Sequence, residues 1–164
     1  MKFFIAGIMQ GSKQESSIHS QSYRAEITRA LQQAFPDAEV YDPFAQHNNS
    51  LGYTHEEGKR VFLTHNRMCS TDVDVLIAFL PEASMGGAIE IWEAWQNGAV
   101  VVTISPMTVN WVVKFLSDVV YSTPEKFYNA LNDGSLAKFL ANQNSRAIKR
   151  SLDNLSEQSQ PVFF

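Results

Sequence analysis

Ser84, Gly86, Gly87 and Glu90 fall within one short stretch, Ser84-Met85-Gly86-Gly87-Ala88-Ile89-Glu90. An apolar run ends just before it at Leu80, and Pro81 opens the turn between them. This pattern predicts a strand, a turn, and a helix that starts at Ser84. The first amides of a helix lack intrahelical acceptors and the macrodipole is positive there, so an anion is favoured at that end. Two glycines let a ligand approach the backbone and cost helix stability that a purely structural helix avoids. Glu90 follows Ser84 by six residues, roughly 9 Å along the axis at 1.5 Å per residue. Side chains lean toward the helix start, which shortens the separation to about 5–7 Å. That is near the distance from a sugar 5′-phosphate to its anomeric carbon. A phosphate on Ser84 and the Gly86 and Gly87 amides would bring that carbon to Glu90. The carboxylate could then attack it or stabilise an oxocarbenium-like transition state. Plainer alternatives stay open: Ser84 as an N-cap only, the glycines as packing residues, Glu90 as a solvated helix residue.

The elements that must hold this stretch alternate strand and helix. Residues 3–9, 39–41, 73–80, 99–105 and 119–121 read as strands, and 21–35, 56–70, 84–97, 107–116 and 123–131 as helices. Continuous apolar runs of this kind belong to parallel strands covered on both faces. Residues 44–53 read as a polar loop, and 135–155 as one more helix inside a C-terminal helical extension, 135–164. The expected fold class is α/β, a flavodoxin-like (Rossmann-like) five-stranded parallel sheet with helices on both faces. Residues 1–164 form a single domain with its core at about 3–130. Ligands of such sheets sit beyond the strand C-termini, at the switch point between the first and third strands. Those ends carry the two glycine-marked loops, 7–13 and 81–90.

Composition narrows the classes. The chain has 164 residues, 45% hydrophobic and 18% charged, with formal net charge −4 and no basic block. Duplex nucleic acid is therefore not an expected partner. The single cysteine, Cys69, excludes an internal disulfide framework and fits a reducing compartment. His19, His47, His55 and His65 are scattered, so no metal site is expected. Residues 1–9 imitate a short signal peptide, but no small-x-small cleavage pattern follows. No stretch is long enough to cross a membrane, and the expected location is cytoplasmic.

Ile5-Ala6-Gly7, the strand from Asp74 to Pro81, the Ser84 to Glu90 block and the strand after Gly98 resemble the nucleoside 2-deoxyribosyltransferase-like superfamily over roughly residues 3–130. The resemblance implies a flavodoxin-like fold, cleavage of a nucleoside or nucleotide N-glycosidic bond, and no cofactor. It also implies a homodimer or homotetramer whose active site borrows residues from a neighbour. It places the catalytic glutamate on Glu90, a ribose contact on Asn66, and further substrate contacts on Gly7, Gln10, Gly11 and Ser12. Asn110 falls in the region that reaches across the subunit interface, and Trp111 beside it stacks on a base or anchors the dimer.

Two departures from the family pattern matter. Ser84 stands where the transferases have an aspartate. Serine there is typical of the branch that hydrolyses nucleoside 5′-monophosphates, and it can donate to a phosphate that aspartate would repel. Asn66 stands where most members have an aspartate. It can hydrogen-bond ribose but not move protons, which leaves Glu93, Asp42 or solvent to protonate the leaving base. The leading expectation is an N-glycosidase acting on a nucleoside 5′-monophosphate. A deoxyribosyltransferase, a nucleotide-binding sensor without catalysis, and a glycohydrolase acting on a dinucleotide such as NAD are the alternatives. Elsewhere, Asp74 is expected to position backbone, and His47 and His55 to be surface groups, with lining of the base pocket as the lesser alternative. His65 is expected to be a partly buried helix residue, Tyr41 and Phe44 either core or base-pocket wall, and Arg146, Lys149 and Arg150 a solvated helix face.

Overall fold

The computed structural model describes residues 1–11, 13 and 17–143. Five strands form one parallel sheet: β1 (Lys2–Gly7), β2 (Glu39–Tyr41), β3 (Val75–Phe79), β4 (Val100–Ile104) and β5 (Val119–Tyr121). Their order is β2-β1-β3-β4-β5, which puts the switch point between β1 and β3 as expected. The helices are α1 (Ser22–Ala34), α2 (Pro43–Gln46), α3 (His55–Thr71), α4 (Met85–Gln96), α5 (Trp111–Leu116) and α6 (Pro124–Asn132).

Alternate residues of a strand point to opposite faces, and here both faces are apolar. Phe3, Ile5, Val75, Ile77, Val102 and Ile104 pack against Ile27 and Leu31 of α1 and Phe127 of α6. Leu136 and Leu140, in the helical segment 135–143, join that side. Phe4, Ala6, Leu76, Ala78 and Val101 pack against Cys69 of α3, Ile91 and Ala94 of α4 and Val113 of α5. The site helix α4 is thus clamped between α3 and α5 on one face of the sheet.

Local caps set the helix boundaries. Ser84 caps α4, and Gly98 at φ 86° ends the helix in the left-handed region that glycine tolerates. Thr123 caps α6 with Pro124 at its first position. The Thr54 side chain accepts from Glu57 N–H while Glu57 reaches back to Thr54 N–H, a capping box that opens α3. Asp74 accepts from Lys2 N–H at 2.7 Å, positioning backbone as expected.

Two expectations need correction. Residues 44–53 are not a plain loop: Asp42 accepts from Phe44 N–H and Pro43 sits at the first helical position, starting α2, and a 3-10 turn follows at Ser50–Gly52. The residues that stop β2 therefore also start a helix. Helix α5 begins at Trp111 rather than near residue 107, because Asn110 accepts from Val112 N–H and caps it. On α3, His65 and Cys69 are buried, but Phe62 is turned outward. The part of the expected C-terminal extension after residue 143, including Arg146, Lys149 and Arg150, lies outside the described residues.

Candidate active site

Glu90 borders the buried stripe of α4, beside Ile91, and stays partly open to solvent. Its carboxyl accepts no hydrogen bond among the described residues, although Tyr23 and Arg24 of α1 and Cys69 of α3 lie within electrostatic reach. Burial pushes its pKa up to about 7, against a smaller lowering by the Arg24 guanidinium. A carboxyl placed for structure would ordinarily be paired. This one is held near the protonation balance that a carboxylate nucleophile or acid–base group needs at neutral pH.

The start of α4 divides the roles of its residues. Ser84 Oγ accepts from Gly87 N–H at 3.2 Å, so that amide is engaged by the cap. A Cβ on Gly87 would come within 2.8 Å of Leu80 Cδ2, so this glycine permits helix–strand packing. A Cβ on Gly86 would meet nothing within 4 Å. Packing therefore explains Gly87 and leaves Gly86 unexplained. With Gly87 engaged, the donors left at this helix start are the Met85 and Gly86 amides and the Ser84 hydroxyl hydrogen.

The first loop closes against the second. Gly11 has φ 57°, and a Cβ there would crowd Ile8, His19 and Glu82. His19 Nε2, ahead of α1, lies 2.9 Å from Glu82 Oε1 in the second loop. Gln10 is exposed and its carbonyl accepts from Lys13 N–H, while Ser12 lies outside the described residues. Gly7 has a packing reason of its own. A Cβ there would overlap the Tyr23 hydroxyl, and the Gly7 carbonyl accepts from Arg24 Nη2 at 3.3 Å.

Asn66 and Asn110 lie on the neighbouring helices. Asn66 Nδ2 donates to the Phe62 carbonyl at 2.8 Å, while its Oδ1 is buried without a partner among the described residues. An acceptor left open in that way suits a hydroxyl donor. Asn110 is exposed and its side chain is used in the α5 cap. Cavities of about 480, 380 and 240 Å³ lie at the N-terminal ends of β3 and β4, on the outer side of α3, and beside β2. None of the three is lined by Glu90 or Ser84.

Neither a protein-family model nor a curated protein matches the sequence. Solved structures do match. A 2-deoxyribosyltransferase from the psychrotolerant bacterium Bacillus psychrosaccharolyticus aligns with TM-score 0.57 at 14% identity, over 79% of this chain and 91% of that one. The chain shares the fold of a 2-deoxyribosyltransferase. A conserved protein from Enterococcus faecalis V583 aligns with TM-score 0.54 at 19% identity, over 81% of this chain and 98% of that one. The CMP N-glycosidase BcmB of Clostridium botulinum aligns at 0.46 and 17%, over 80% of this chain and 98% of that one.

Sequence reasoning missed the residues on the far wall. From the first turn of α1, Tyr23 stacks against Phe79 at the end of β3, with ring centroids 4.3 Å apart, and Arg24 is buried beside the end of β1. Beyond β2, Tyr41 bonds His65 Nε2 at 3.2 Å, and His47 Nδ1 bonds the Tyr53 hydroxyl at 2.8 Å. The His47 and His65 rings lie 5.3 Å apart. His47 is thus a half-buried member of a ring cluster rather than a surface group. His65 is held neutral, its pKa lowered to about 4 by burial and then by His47 and Arg24. Asp42 is paired with Arg24 at 3.2 Å and caps α2, so it is not free to supply a proton. The missed signal was the Tyr23-Arg24 pair just inside the start of a helix whose neighbours are small or apolar.

Proposed function

We propose that this protein cleaves the N-glycosidic bond of a nucleoside 5′-monophosphate, releasing the free base and a sugar 5-phosphate. The observation that carries the reading is Glu90: a half-buried, unpartnered carboxyl at the switch point, six residues after a serine-capped helix start. Ser84, with the free amides of Met85 and Gly86, receives the phosphate, and the unfilled space over Gly86 admits it. Gln10, Gly11 and Ser12 of the first loop supply the remaining phosphate contacts in this reading. Asn66 Oδ1 accepts from a ribose hydroxyl. Glu90 attacks C1′ as the bond to the base breaks, and water then opens the glycosyl ester. The proton on the departing base comes from Glu93 or solvent, since Asp42 is committed elsewhere. No cofactor takes part.

A second copy of the chain completes the site. Phe62 and Leu63 of α3, Met85, Ile89 and Trp92 of α4, and Trp111 and Phe115 of α5 are exposed. They belong to three adjacent helices on the Glu90 face of the sheet. Residues 85, 89 and 92 form one stripe at helical spacing. Apolar faces of this extent mark protein–protein contact, and Asn110, beside Trp111, lies on the same side.

Paired substrates provide the test. Each base would be offered as nucleoside and as nucleoside 5′-monophosphate, with free base followed by chromatography. Release from the monophosphate in preference to the nucleoside is expected. Preference for the nucleoside, above all with a second base as acceptor, would assign base exchange instead. No release across the panel would remove the catalytic reading.

A further inference from the structure

Strand β1 outruns its neighbour β2. Glu39 N–H donates to the Met1 carbonyl at 3.0 Å, and pairing ends at Phe4 opposite Tyr41. Carbonyls of odd-numbered β1 residues therefore face β2, and successive ones are met by every second N–H of that strand. The next N–H in that series, aimed at the Ile5 carbonyl, would belong to residue 43, which is proline and has no N–H to give. The Ile5 and Gly7 carbonyls are stranded past the end of the ladder. An unmet buried acceptor would cost about 1–3 kcal/mol.

Arg24 meets both carbonyls. Nη1 donates to Ile5 at 2.7 Å and Nη2 to Gly7 at 3.3 Å. Nε donates to Gln21 Oε1 at 2.7 Å, and Nη1 also reaches Asp42 Oδ1 at 3.2 Å. The residue is 2% exposed. A buried ion pair is weak support for stability, because apolar replacement is often neutral or better. The carbonyls account for the donors of Arg24, and the neighbours of its charge suggest a second role. Of the groups within electrostatic reach of Glu90, burial raises the pKa of Tyr23 to about 12 and also raises that of Cys69, so both are neutral at pH 7. His65, within electrostatic reach of Arg24, is neutral as well, and Glu93 lies three residues further along α4. Arg24 is the cation of this group.

We propose that Arg24 is a positioning residue for the Glu90 site: it replaces the missing end of β2, ties the end of β1 to Asp42, and so fixes a cation within electrostatic reach of Glu90. This rests on reading Glu90 as the reactive group, so the test uses a readout independent of turnover. That readout is a carbon-13 NMR titration of the Glu90 side-chain carboxyl in the full chain, assigned by its loss in Glu90→Gln. Asp42→Asn keeps an N-cap for α2 and removes the competitor for Arg24, so the midpoint falls by about 0.5–1 pH unit. Arg24→Gln combined with Asp42→Asn leaves neither charge unpaired, and the midpoint rises by about 0.5–1 unit. Arg24→Lys keeps the charge but cannot span two carbonyls. Its midpoint stays near wild type while base release falls about tenfold. Midpoints that coincide in all these proteins overturn the proposal, whatever their thermal stability. Opposite shifts in a protein that releases no base uphold the Arg24 placement and remove only the function assigned to Glu90.

Discussion

Glu90 is the residue at which chemistry and stability pull in opposite directions. Its folded pKa of about 7 lies above the ordinary 4.5, so ionising it inside the protein costs free energy. The stability contribution is fully present below about pH 4.5 and is lost as pH rises through about 7. Glu90→Gln, which cannot ionise, is therefore expected to exceed wild type in stability at pH 8 by about 1–3 kcal/mol, after allowance for the side chain's solvent access. At pH 4 the two should coincide. Denaturant unfolding at both values checks this, and equal stability at pH 8 would mean that the carboxyl is solvated. If the carboxylate form is the nucleophile, kcat/KM should climb with pH through the same interval.

On helix α4 the proposed phosphate contact and the packing contact fall on adjacent glycines. Gly86→Ala places a methyl in open space and removes a helix-disfavouring residue, so stability should rise by about 0.5–1 kcal/mol. The same methyl obstructs the proposed phosphate, so KM for the monophosphate should rise. Gly87→Ala drives a Cβ toward Leu80 and should lower stability by about 1–3 kcal/mol. Thermal melts and steady-state kinetics on the two variants separate these effects. Stability falling in both would assign both glycines to packing. The boundaries of this helix were readable in the sequence because Ser84 and Gly98 act locally. So was the strand order, since buried parallel strands announce themselves as apolar runs. Helix α2 was hidden because Asp42 and Pro43 signal a strand end and a helix start with the same two side chains. Arg24 was hidden for a different reason. Its partners arise only when β2 gives way to Pro43 beside the Ile5 carbonyl, a juxtaposition set by the fold and not by any neighbour in the chain.

At the scale of the whole molecule, the Glu90 face exposes large apolar side chains. Met85 is 83% exposed and Trp111 77%, and no cavity described above reaches Glu90 in the single chain. A second copy on α3, α4 and α5 would both cover the apolar surface and wall the crevice. Trp92→Lys is expected to shift the protein from dimer or tetramer to monomer in sedimentation, and to lower base release with it. A wild-type protein that sediments as a monomer would contradict this assembly. Among the described residues no helix is long and apolar enough to cross a membrane. The central claim, that Glu90 makes and breaks the bond to C1′, is tested most directly by following free base released from a nucleoside 5′-monophosphate by wild type and by Glu90→Gln. The account predicts steady release by wild type and a loss of about 10³-fold or more in the variant, with its circular dichroism unchanged. Release by Glu90→Gln at the wild-type rate would contradict it.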